Sequence, residues 1–300
     1  MEHYVRTLPL FSQGKVRDTF SIPGHDSLLL MVATDRLSTH NIVHRSLIPG
    51  KGMILNALSI FWVKEILRYY PTHLMTYGKK IYDYLPVGVS YPEDLHQRAV
   101  IVKKLEIIPI EFIWRCRMIG SLYDNFYSKG KENPYGLFLP LNMRKMDCFN
   151  VPIFTPTEKS ETDDAVLSSE VRMNFSRAVH LTRKVYEAGR MYALKKGVDI
   201  IDYKGEVGKN GKGKHYIADE ILTPDCCRFV LGSDIKIGDD PKWMDKELFR
   251  IHARKVWGTG KKEPIDFPSN VIDKGLERYK NLFEVITGGS LEAFQKMALS

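Results

Sequence analysis

The sequence predicts a mixed helix-and-sheet protein, α+β or α/β, and three features carry that prediction. A long segment with helical spacing, from Ser168 to about Lys196, is followed directly by alternating segments, so helix and strand succeed one another along the chain. The alternating segments, residues 198–207 and 215–221, are joined by a loop of Gly, Asn and Lys, which is a hairpin signal. At 300 residues, 44% hydrophobic and 27% charged, the chain is long enough to bury a full core in two domains or one large one.

The elements follow in order. Residues 10–20 pass from a polar segment into alternation, with Gly14 at the change. Glycine lets backbone N–H groups come close to a phosphate, and Lys15 and Arg17, two apart on a strand, project the same way. An edge hairpin with exposed cations fits the same pattern. The apolar run 27–33 is a buried strand ending at Thr34, Asp35 and Arg36, where Asp35 either serves a site or forms a turn. Residues 48–52 bracket Lys51 with glycines and open a helix whose stripe of Ile54, Leu55, Leu58, Phe61, Trp62 and Ile66 is core; the loop before it is a candidate anion cradle.

A strand at 99–105 leads into a second alternating run that ends with Arg115 and Arg117 and continues into Gly120 and Ser121. Guanidinium groups there suit a carboxylate, and the hydroxyl with its backbone suits a phosphate; a surface strand has the same pattern. Residues 129–151 read as an irregular connection, and 152–164 as a mobile polar loop with one lysine, Lys159, among acids. One helix is expected from Ser168 or Ser169 to about Lys196, with Gly197 as its stop. Two further helices, 243–257 capped by Asp245 and 269–286 stopped by Gly288, are assigned to packing.

The hairpin at 198–221 gathers the most chemistry. Asp202, Lys204 and Glu206 share one face of its first strand, and the second delivers Asp219 and Glu220 before the turn at Thr223 and Pro224, with Arg228 beyond. A solvated charged face is the plain account; two carboxylates for a divalent ion, beside phosphate-binding cations, is the chemical one. The balance of 44 basic against 36 acidic residues, net +8, favours anionic partners. With no arginine-rich tract or zinc-finger spacing, small anionic substrates fit better than nucleic acid. Cys116, Cys148, Cys226 and Cys227 form no CxxC, so reduced thiols and a cytoplasmic setting are expected, with no signal peptide and no membrane span.

Taken together, GKVRDTF, TDRLS with IPGKGMILNALSIFW, KKLEIIPIEFIWRCRMIGS, PIFTPTEKSE, DYKGEVG and DEILTPDCCRF stand in the order and approximate spacing of the SAICAR synthetase family, and the chain resembles its larger, yeast-type form up to about Phe229. The resemblance implies an α+β fold: a β-rich ATP-phosphate-binding domain over residues 1–104, a larger α+β domain over 105–300 with the metal site and C-terminal packing helices, and ATP in the cleft between them. It implies an ATP- and Mg²⁺-dependent amide ligase that joins the carboxylate of carboxyaminoimidazole ribonucleotide to the amine of L-aspartate, releasing ADP and phosphate in purine biosynthesis.

Motif to motif, Gly14, Lys15 and Arg17 resemble the group over the ATP phosphates. Glu206 and Asp219 resemble the magnesium-holding acids, and Arg115, Ser121 and Arg228 the residues that hold the nucleotide. Lys204, Asp35 and Lys159 resemble catalytic groups. The chain departs from the family pattern at Ser38-Thr39-His40-Asn41, usually Ser-Ala-Phe-Asp; at Cys226-Cys227, usually Ser-Ser; and after Lys159, where Glu161 opens a shorter stretch without the usual histidine. Two other readings are distinguishable: a divergent relative acting on another phosphorylated acid or amino acid, which predicts ATP binding without aspartate-dependent ADP release, and a non-catalytic nucleic-acid-binding protein, which predicts steep salt dependence.

Overall fold

The computed structural model describes residues 4–160 and 162–299. The expectations for the extreme N-terminus and for Glu161 lie outside the described residues at those positions. The chain begins with β1 (Leu10–Gln13), β2 (Arg17–Ser21), β3 (Leu28–Ala33), β4 (Arg36–Thr39), β5 (Ile42–Leu47), α1 (Lys51–Phe61), β6 (Leu74–Tyr77), α2 (Leu95–Arg98) and β7 (Ala99–Lys103). It continues through β8 (Glu106–Ile107), β9 (Ile110–Arg117), β10 (Cys148–Phe154), β11 (Thr157–Glu158), α3 (Ser168–Asn174) and α4 (Ser176–Lys195). Then come β12 (Val198–Lys209), β13 (His215–Ala218), β14 (Cys227–Leu231), α5 (Glu247–Trp257), α6 (Ser269–Thr287) and α7 (Leu291–Ala298).

Two compact units result. The first comprises the chain up to Glu65, Thr72–Leu105 and everything from Asp245 on; the second comprises Ile66–Pro71 and Glu106–Met244. This differs from the expected division at 104/105, because the C-terminal helices belong to the first unit. The reason is apolar. Phe249, Ala253 and Trp257 of α5 bury against Leu37 and Ile48, and Phe294 and Leu299 pack with Leu29 and Val102.

The first unit is built on an antiparallel sheet in the order β1-β2-β3-β7-β6. Alternation divides its residues between two clusters: Phe20, Leu30, Val32 and Ile101 in one, and Leu29, Val100 and Val102 with Ile60 of α1 in the other. A sheet with both faces covered reads as the continuous apolar run seen at 27–33.

The second unit is a seven-stranded sheet with β12 at its centre, pairing β9, β13, β14 and β8. One face is apolar and carries α4: Tyr186 stacks on Tyr203 and donates its hydroxyl to the Ile200 carbonyl at 2.9 Å, while Trp114 donates to Thr182 at 3.1 Å. Arg190 of α4 and Arg117 of β9 both reach Asp199, fixing the helix across the strands. The opposite face carries the polar residues of the site.

Three local expectations are corrected. The single helix expected from Ser168 breaks at Phe175 (φ −132°, ψ 36°), which ends α3 and begins α4. The stretch 152–164, read as a mobile loop, supplies the end of β10 and all of β11, because β9 offers it backbone partners: Thr157 lies opposite Glu111 and Glu158 opposite Ile110. The second hairpin strand stops at Ala218, since Asp219 turns the chain with φ 58°. Among the described residues no helix is long and apolar enough to cross a membrane.

Candidate active site

The strand register builds the polar face of the second unit. Asp202 pairs with Arg115 and Lys204 with Ile113 across β12 and β9, and alternation then puts Glu111, Arg115, Asp202, Lys204 and Glu206 on the side away from α4. Two clusters form along it.

The first joins Glu206, Asp219, Lys159, Lys204 and Glu111. Glu206 lies opposite Ala218 in the β12–β13 ladder, so Asp219, one residue on, comes beside it. Burial and then the Asp219 charge push the Glu206 carboxyl above its ordinary value, against the opposing pull of Lys159 and Lys204. Lys159 bonds Glu206 directly. Lys204 Nζ donates to Glu111 Oε1 at 2.5 Å, and Thr157 Oγ1 donates to Glu111 Oε2 at 2.9 Å. Burial opposes the Lys204 charge, but Glu111 more than offsets it, leaving the ammonium above its usual range. Glu111 is the residue the sequence reading missed; its signal was its place in alternation with Arg115 on an otherwise buried strand.

The second cluster joins Arg115, Asp202 and Arg228, with Gly120 packed against it and the exposed Ser121 next in the chain. Asp202 Oδ2 accepts from Arg115 at 2.8 Å and from Arg228 at 2.5 Å, and Asp202 Oδ1 accepts the Arg228 backbone N–H at 3.0 Å. Thr155 Oγ1 accepts from Arg115 Nε at 3.0 Å. Gly120, at φ 66°, packs so closely that an added Cβ would meet both guanidinium groups at 3.2–3.3 Å; this close approach sets Ser121 beside the arginine pair. Two arginines held by one carboxylate leave a fixed, cation-rich surface suited to a phosphate or carboxylate.

In the first unit, Gly14 and Lys15 form the β1–β2 turn, closed by the Gly14 N–H to the Arg17 carbonyl at 2.7 Å. Arg36 holds this turn from below, donating to the carbonyls of Lys15 and Gly14 while pairing with buried Asp18. Lys15 Nζ reaches Asn41 Oδ1 at 2.5 Å. The anion cradle read at 48–52 is filled from within: Asp35 accepts the backbone N–H of Gly50 and of Gly52 at 3.2 and 2.9 Å, and Arg98 at 3.2 Å. The geometry gives Asp35 the work of capping α1 and tying it to β3.

His40 and Asn41, both at positive φ, make the two-residue turn between β4 and β5. Burial, then Arg250, Arg254 and Lys262, lower the His40 pKa to about 4 against the opposing Glu247. The imidazole is therefore neutral when folded and must charge on unfolding below its ordinary value of 6.5. Stability present above pH 6.5 is lost as pH falls toward 4, by at most ~3 kcal/mol before solvent screening. His40→Asn, which tolerates the left-handed backbone, should flatten the melting-temperature profile between pH 6.5 and 4; His44, also lowered by burial, leaves a residual slope. An unaltered profile would exclude His40 as its source.

This fold and polar face define a class of protein: a mixed α+β chain with an acid pair braced by lysines and an arginine pair suited to anionic reactants. A family model described as SAICAR synthetase matches residues 10–264. The chain is 34% identical over 297 residues to the phosphoribosylaminoimidazole-succinocarboxamide synthase of Saccharomyces cerevisiae, covering 94% of this chain and 95% of that one. It is 35% identical over 294 residues to the synthase of the same name from Desulfotalea psychrophila, covering 94% and 96%. The solved SAICAR synthase of Saccharomyces cerevisiae, complexed with SAICAR, superposes with a TM-score of 0.83 at 32% identity, over 97% of this chain and 98% of that one. The chain belongs to the SAICAR synthetase family.

Proposed function

We propose that the chain performs the family's ligation in purine biosynthesis: carboxyaminoimidazole ribonucleotide and L-aspartate are joined as an amide, with ATP converted to ADP and phosphate. The observation that carries the site assignment is the acid pair, Glu206 on β12 and Asp219 in the turn just past the end of β13, with Lys159 and Lys204 against it. A carboxylate is a poor acyl donor, so phosphoryl transfer activates it and the amine of aspartate then displaces the phosphate. The protein's contribution is positioning and neutralisation of negative charge.

In this reading Arg115, Arg228 and Ser121 hold the phosphate-bearing nucleotide, and Asp202 and Gly120 hold those three in place. Gly14, Lys15 and Arg17 meet the ATP phosphates, with Asn41 orienting Lys15. Lys159 and Lys204 lie where negative charge shifts between phosphate and carboxylate.

Magnesium fits the donor set. Mg²⁺ takes one or two carboxylates, completing its shell with water and phosphate oxygens, and Glu206 with Asp219 supplies two. Glu206 and Asp219 would hold it, where it would neutralise charge on the phosphates. Burial first, and then the charge of Asp219, raise the Glu206 carboxyl above its ordinary value, and a divalent ion between the two acids would oppose both effects. The four thiols are all free, which accords with a cytoplasmic location.

The test is ADP release with the imidazole ribonucleotide present, with and without L-aspartate, and with other amino acids. Release that requires both the nucleotide and L-aspartate is expected; release independent of aspartate, or supported equally by another amino acid, would overturn the assignment.

A further inference from the structure

We propose that Cys226 and Cys227 form a chelating site for a thiophilic centre that takes two thiolates, a trivalent arsenical or a soft metal ion, and that filling it disables the arginine pair beside it. The two Sγ atoms lie 3.8 Å apart. Two thiolates on a tetrahedral centre with metal–sulfur bonds of ~2.3 Å are separated by about the same distance, so the pair already has a chelating bite. The Thr223 carbonyl holds the backbone at this turn, accepting the N–H of both cysteines at 3.1 and 2.9 Å, and the Thr223 N–H donates to Cys226 Sγ at 3.3 Å.

Across the ladder from Cys227 stands Tyr203, whose buried hydroxyl has no partner and whose electrostatic surroundings include both thiols. Burial and the neighbouring Cys226 raise the Cys227 thiol, so reaction is slow at neutral pH and faster as pH rises.

With a monosubstituted arsenic(III) oxide the step balances without redox change: two S–H bonds break, two As–S bonds form, and the oxo oxygen leaves as water with both protons. The second thiol acts at the high effective concentration of a neighbouring group, which makes the adduct resistant to monothiols and open to dithiols. Arg228 follows Cys227 directly and gives both its backbone N–H and its guanidinium to Asp202. Close packing passes a displacement at Cys227 to that contact.

Phenylarsine oxide is the probe, read by intact mass and by ligase rate. The wild-type chain should take up one equivalent, lose activity on the order of tenfold or more, and recover with ethanedithiol but not with mercaptoethanol. Cys226→Ser and Cys227→Ser should each abolish monothiol-resistant uptake, whereas Cys148→Ser, at an exposed cysteine, should not. Should the serine variants fail to fold, alkylation of the arsenical-treated wild type after denaturation must spare Cys226 and Cys227. No uptake, or an adduct mapped to Cys116 or Cys148, would overturn the site; an adduct at the pair with full activity would overturn its coupling to the arginines.

Discussion

Replacing Glu206 with glutamine should collapse ligase turnover by on the order of a hundredfold or more while leaving the fold intact. Glutamine keeps the shape of the side chain but removes one of the two charges placed to hold a divalent ion. The same change should leave the ligand-free protein equal or greater in stability at pH 8. The sign follows from linkage. A carboxyl raised above its unfolded value keeps its proton to higher pH in the folded state, so folding loses stability as pH rises through that window and the carboxylate forms beside Asp219. Glutamine never takes on that charge. A melting temperature lowered by several degrees together with near-normal activity would remove Glu206 from the metal site and make its bond with Lys159 the principal contribution.

Asp202→Asn should have the largest effect on stability and on nucleotide binding together. The carboxylate is buried, with side-chain exposure of 9%, and it bridges Arg115, at 6%, and Arg228, at 16%. Removing one member of a buried ion network costs about 3–5 kcal/mol, because the remaining charges stay out of water without compensation. For a chain of this size that corresponds to a fall in melting temperature on the order of 10 °C. The two guanidinium groups would then repel, and KM for the imidazole ribonucleotide should rise more than KM for ATP. Equal effects on both substrates, or none on stability, would contradict the place given to Asp202.

The ordered motifs and the alternation in residues 198–221 were enough to read the α+β class, the hairpin and both candidate acids from sequence. Strand period puts Asp202, Lys204 and Glu206 on one face whatever the partner strand is. The register that brings Asp219 beside Glu206 is a property of pairing, which local sequence leaves open. Glu111 escaped notice for a related reason: its meaning depends on Lys204 reaching it from a strand some ninety positions away. Asp35 was legible as a residue at a strand end but not as the cap of α1, since that depends on where the helix N-terminus lands. The C-terminal helices were recognised as packing elements, yet the unit they join is set by Leu37, Ile48 and Leu29, far upstream.

Binding of Mn²⁺, as a paramagnetic stand-in for Mg²⁺, in the presence of a non-hydrolysable ATP analogue bears most directly on the acid pair. The wild-type chain should bind the ion more tightly with the analogue than without it, and both Glu206→Gln and Asp219→Asn should lose that increment. Retention of full, analogue-dependent Mn²⁺ affinity in both variants would contradict the account.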